Sequence, residues 1–261
     1  MTTPQSVEIS QYIQLRGSTT LLTPIQAIGS QYMTDFPKVG LPLLGGGTAI
    51  GYKTVLDETA DIGMASGAIP EEMEIAARLD KISIRTTTIA YDAITTVVNP
   101  LNPISNLSID QLKEIFSGRI TDWSELGKFS GKINVYSYHP HRGTQEPWKR
   151  LVLGKEHMTL GAIVIYSHQE LFEKLSKDPL GIGYVSATFL DDAKIKVIQV
   201  NGYMPTYENL SAHKYPIRNN LMLVTREQTT ELVKHFLEYC LDLQKGQALI
   251  GKTGLVPVKQ G

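Results

Sequence analysis

The chain has one cysteine, Cys240, in 261 residues. A disulfide within the chain and a cysteine-cluster metal site are both excluded. Scarcity of thiols suits a cytosolic protein and an exported one equally, so it does not decide the compartment. No apolar run approaches the length of a membrane-spanning helix. Neither sign of charge dominates: 25 basic residues against 26 acidic give a net charge of −1. That balance excludes a nucleic-acid footprint, and an anion would have to be recognised locally, without a global positive field. Also missing are a fixed-period repeat and a low-complexity linker. The opening residues, Met1-Thr2-Thr3-Pro4-Gln5-Ser6, carry neither the basic nor the apolar region of a signal peptide.

What is present is ordinary in amount, with 42% apolar and 20% charged residues, as in soluble globular proteins. The length allows one large or two medium domains. Strand-like runs at 8–15, 39–44, 60–66 and 82–90 alternate with helical segments from Pro24, over 50–56 and over 71–79. Such alternation predicts an α/β fold with a largely parallel sheet, whose ligands bind beyond the carboxyl ends of strands. Residues 93–99 read as a further strand, closed by the turn signal Asn99-Pro100 and able to lead into a second domain. Ser108-Ile109-Asp110-Gln111 is a capping-box pattern, and Thr121 to Glu125 suggests another short capped helix. Strands are expected at 133–137, 163–166, 183–186 and 221–225. A helix from Glu227 onward would present Leu232, Val233, Phe236, Leu237, Cys240 and Leu241 on one apolar face.

Three turns share one chemistry. Gly45-Gly46-Gly47-Thr48-Ala49-Ile50-Gly51, Arg16-Gly17-Ser18-Thr19-Thr20 and Arg142-Gly143-Thr144 each place glycine and small hydroxyls after a strand and before a helix. Exposed N–H groups at such a position form an anion site. Ser18, Thr19, Thr48, Ser66 and Thr144 would supply neutral donors, and Arg142 one charge-assisted contact. Taken singly, each of these Ser and Thr residues also reads as a helix cap. Asp92, at the expected domain crossing, reads as structural or as an acceptor for a protonated oxyanion, and Asp61 as a local backbone cap.

Several chemistries fail on spacing. A nucleotide phosphate loop needs lysine directly after its second glycine. Lys53 comes one residue late, rotated by about 100° on a helix. No dinucleotide fingerprint and no nucleophile elbow occur, and no base–nucleophile pair supports an enzyme. His139 and His141 lack a third ligand, so no metal or cofactor is expected, and Cys240 reads as core.

Taken together these stretches resemble the phosphate-binding substrate proteins of ABC transporters, the PstS-like family. The resemblance runs in order through Gly17 to Thr20, Gly45 to Thr48, Ala60 to Ser66, Asp92 to Pro100, Gln111 to Trp123 (QLKEIFSGRITDW) and Gly181 to Ser186 (GIGYVS). It continues through Pro205 to Asn209, Tyr215 to Ile217, Gly246-Gln247 and Gly254 to Val258. It implies a two-lobe, periplasmic-binding-protein type II fold that closes on phosphate in a cleft between the lobes. The lobes would be residues 1–92 with 215–261, and residues 93–214. It further implies a non-catalytic, monomeric receptor at the periplasmic or extracellular face, delivering phosphate to an ABC permease. The chain would then begin where a mature form does, behind an added methionine. The implied ligand residues are Ser18, Thr19, Thr48, Ser66, Gly143 and Thr144, with Asp92 near the crossing. Gly67, Tyr138 and Gln145 stand where the family has arginines, and Arg142 stands where it has a serine. A different oxyanion, a small acidic solute, or a sensing or adhesion role without transport are therefore the alternatives.

Overall fold

The computed structural model describes residues 9–127, 129–139, 144–190 and 194–259. Two compact units divide the chain. The first comprises Met1–Tyr91 and Asn220–Gly261, and the second Asp92–Asn219. In chain order the main elements are β1 (Leu15–Gly17), α1 (Leu22–Asp35), β2 (Leu43–Gly45), α2 (Thr48–Leu56), β3 (Ile62–Ala65), α3 (Glu71–Leu79) and β4 (Ile84–Val98). Then follow α4 (Ile109–Ser117), β5 (Asn134–Tyr138), α5 (Gln145–Trp148), β6 (Ile163–Ile165), α6 (His168–Ser176) and β7 (Gly181–Ser186). The chain ends with β8 (Arg218–Arg226), α7 (Glu231–Leu241), α8 (Gly246–Gly251) and β9 (Val256–Pro257).

The first unit's sheet runs in the order β2-β1-β3-β8-β4. β1 is parallel to both β2 and β3, with Gly17 level with Gly45 on one side and Met64 on the other. β8 enters antiparallel to β3, and β9 pairs antiparallel with Ala90 and Tyr91 of β4. Every residue of β3 is buried, so this strand is covered on both faces and reads as an unbroken apolar run. Beside it, Ile25, Ile28 and Tyr32 of α1 meet Val233, Phe236 and Cys240 of α7 in one core. Tyr32 presents its edge to Phe236 and Tyr239 at centroid distances of 5.0 and 4.9 Å, a preferred arrangement for aromatic pairs. α7 starts at Glu231, later than Glu227, because the Thr230 hydroxyl accepts from Val233 N–H and closes the helix there.

In the second unit, residues Ile94–Val98 of β4 pair antiparallel with β7. β7 is parallel to β5, and β5 is parallel to β6. α4 opens with the expected capping box: Gln111 N–H donates to Ser108 Oγ (3.0 Å) and Ser108 N–H to Gln111 Oε1 (2.8 Å). It ends at Gly118, whose φ of 84° is cheap only without a Cβ. Asp122 and Glu125 form a second capping box around Trp123.

Two expectations need correction. The sheets are mixed, with antiparallel β8 in the first unit and an antiparallel β4–β7 pair in the second. The runs at 82–90 and 93–99 are one 15-residue strand. Asp92 does not interrupt it, because the carboxyl finds a hydrogen-bond partner inside the fold.

Candidate functional site

In the first unit, three adjacent parallel strands deliver the predicted residues. β1 runs out into Ser18, β2 into Gly46-Gly47, and β3 into Ser66. α2 begins at Thr48, two residues earlier than expected, because Gly47 (φ 93°) turns the chain directly into the helix. The helix lies unusually close to the sheet. A Cβ on Gly51 would stand 2.3 Å from the Met64 carbonyl oxygen. One on Gly63 would stand 2.3 Å from the Gly51 oxygen, and one on Gly17 2.1 Å from Met64 O. Only glycine permits this approach at all three positions.

The close approach joins the hydroxyls. Ser18 Oγ donates to Ser66 Oγ (3.0 Å), Thr48 Oγ1 lies 3.1 Å from Ser66 Oγ, and Ser66 N–H donates to Thr48 Oγ1 (3.0 Å). Ser18 and Ser66 are buried, and Ser18 is further pinned by its N–H to Met64 O (2.8 Å). Neither Ser18 nor Thr144 makes a side-chain cap at its helix start, so the capping explanation of these hydroxyls fails. Thr19 is exposed on the short 3-10 turn that follows Ser18. The first intrahelical bond of α2 comes from Gly51 N–H to Gly47 O. The helix itself thus leaves the N–H groups of Thr48, Ala49 and Ile50 unpaired at its positive end. Tyr52, one turn along, reaches back to donate to Gly67 O (3.0 Å), fastening the segment after Ser66. The hydroxyl cluster is neutral and is built to donate.

In the second unit, Asp92 is buried and accepts from Ser186 Oγ at 2.6 Å. Ser186 also lies 2.8 Å from Thr188 Oγ1. Burial lifts the Asp92 carboxyl to about 6, against the opposing pull of the Ser186 hydrogen bond. Ser186 ends a parallel strand as Ser66 does, and sequence reasoning did not single it out; its place at the end of an apolar run was the available signal. Thr144 is half-buried at the start of α5. Arg142, Gly143 and His141 lie outside the described residues. His139 follows β5, donates its N–H to Ile165 O (3.0 Å) and stacks on Tyr166. Among the described residues no cluster of three metal-type side chains occurs, and no helix is long and apolar enough to cross a membrane. Asp61 accepts from Gln14 N–H, tying down the segment before β1. Cys240 is fully buried and free.

Residues 2–242 match the PBP superfamily domain. The phosphate-binding protein PstS of Bacillus subtilis is 26% identical over 246 residues, 94% of this chain and 80% of that protein. A Clostridium perfringens protein, described as a phosphate ABC transporter substrate-binding protein with bound phosphate, is 26% identical. It aligns with a TM-score of 0.73 over 95% of this chain and 100% of its own. PstS from Borrelia burgdorferi aligns with a TM-score of 0.82 at 24% identity, over 96% of this chain and all of that one. The two-lobe α/β fold is shared along nearly the whole length, and this chain belongs to the PBP superfamily.

Proposed function

We propose that this chain is a receptor for inorganic phosphate that works outside the cytoplasm and hands its ligand to an ABC permease without chemical change. One observation carries the reading. Ser18, Thr48 and Ser66 meet at the carboxyl ends of three parallel strands, directly before the unpaired N–H groups of α2. A dehydrated oxyanion needs many donors, and this arrangement supplies hydroxyls and amides without burying a cation. Thr19 belongs to the same proposed set. Asp92, Arg142, Gly143 and Thr144 are the second unit's candidates, each to be tested by its own variant. The relatives named above are described as phosphate-binding proteins, which favours the same ligand and a non-catalytic receptor.

A second reading, a different oxyanion, is favoured by Gly67, which stands beside the hydroxyl cluster where the family has arginine. Calorimetric titration of the ligand-stripped protein with phosphate, arsenate, sulfate and molybdate separates the two. Phosphate and arsenate binding with sulfate excluded supports the first. Preference for sulfate or molybdate supports the second, and silence toward all four overturns both.

A further inference from the structure

Within the first unit, Ser66 is held at two points besides its contacts with Thr48. The first is its own hydroxyl, which receives Ser18. Both donors of Ser18 are used inside the unit: its N–H goes to Met64 O (2.8 Å) and its hydroxyl to Ser66 Oγ (3.0 Å). The residue is only 3% exposed. With no donor left, Ser18 could turn only oxygen lone pairs toward an anion, and these repel it. What Ser18 does supply is a fixed partner for Ser66. Its proton occupies a lone pair on Ser66 Oγ, restricts that rotor and polarises the Ser66 O–H bond, which becomes a stronger donor.

The second point is the peptide after Ser66, and it is held by Tyr52. This residue stands directly after Gly51, where a nucleotide phosphate loop needs its lysine. Tyr52 is buried, and its hydroxyl donates to Gly67 O (3.0 Å). Burial lifts the phenol above its ordinary range, so it remains a donor at neutral pH. Lys53 takes no part, being engaged in an exposed ion pair with Asp57. Gly51 lets α2 approach the Met64 backbone, and Tyr52 then fastens the helix to the segment that leaves β3. The near-match to a phosphate loop thus closes a helix onto a strand end.

We propose that Ser18 and Tyr52 are positioning residues of the anion site, which set the place and polarity of Ser66 and do not themselves touch the ligand. The proposal rests on the receptor reading above, and it moves Ser18 from the contacts of the anion to their support.

The test is calorimetric titration of the full chain with inorganic phosphate, made on Ser18→Ala, Tyr52→Phe and Ser66→Ala. The first two are then each combined with the third. Phosphorus NMR reads the weakest binders, and urea melts show that each variant is folded. Ser18→Ala and Tyr52→Phe remove one hydroxyl apiece and leave the rest of the side chain. Each should weaken phosphate roughly three- to tenfold in the parent chain. Added to Ser66→Ala, each should change affinity by less than about twofold, because its effect passes through the Ser66 hydroxyl. Loosened packing alone would lower affinity by the same factor whether or not Ser66 keeps that hydroxyl. Equal losses in both backgrounds, or no loss in the parent, overturn the role of the residue concerned while the receptor reading stands. A parent chain that binds no phosphate overturns both.

Discussion

Replacing Gly51 with alanine tests whether the close seat of α2 makes the hydroxyl cluster. In isolation the change favours the helix by about 1 kcal/mol, since alanine is the better helix former. In place, the new Cβ would lie 2.3 Å from Met64 O and 3.1 Å from both Met64 C and Met64 N. These are backbone atoms of the fully buried β3, so α2 must give way. Ordinary van der Waals contact requires a retreat of roughly 1 Å. That retreat stretches the Thr48–Ser66 contacts, now 3.0 and 3.1 Å, past hydrogen-bonding distance. Overpacking of this kind costs about 1–3 kcal/mol, so the net loss should be about 0–2 kcal/mol after the propensity gain. Urea denaturation should show the midpoint falling with its slope unchanged. Phosphate titration should show affinity falling at least tenfold, because the donors no longer converge. A variant more stable than the parent, or one that binds phosphate as well as the parent, would refute the reasoning.

Three further outcomes follow from the same structure. Asp92 is more readily protonated in the folded chain, at about 6, than a free carboxyl. Between roughly pH 4 and 6 the folded state holds the extra proton, so this group's contribution to stability falls as pH rises through that window. Asp92→Asn should remove that slope in urea melts and stabilise the protein at pH 7.5 by about 2–3 kcal/mol; an unchanged pH profile would show that the carboxyl is not buried in solution. Ser108→Ala removes half of the α4 capping box and should cost about 1 kcal/mol, read as a lower urea midpoint. Burial pushes the Cys240 thiol up, so a thiol reagent should leave the native protein unlabelled and react fully in denaturant.

Much of the architecture was legible because local chemistry decides it. Ser108 with Gln111 marked the start of α4 before any fold was known, since both partners lie within one turn. The apolar spacing of Val233, Phe236 and Cys240 likewise named the buried face of α7. Strand direction was not legible. Nothing in residues 221–225 distinguishes a strand that enters antiparallel beside β3 from one that enters parallel, and Asp92 looked like a break when its partner Ser186 lay 94 residues away. The hydroxyls of Ser18, Thr48 and Ser66 could be named from their positions after strands. Their contact could not, because it depends on Gly17, Gly51 and Gly63 allowing backbone to approach backbone, and a glycine's sequence position does not reveal what it faces.

The central claim is that the Ser18–Thr48–Ser66 cluster holds the oxyanion, and Ser66 touches both partners. Calorimetric titration of Ser66→Ala with phosphate tests it most directly. Loss of a hydrogen bond to a charged ligand is worth about 1.5–3 kcal/mol, so affinity should fall by roughly 10- to 150-fold while the urea midpoint moves far less. Phosphate affinity equal to that of the parent would contradict the account.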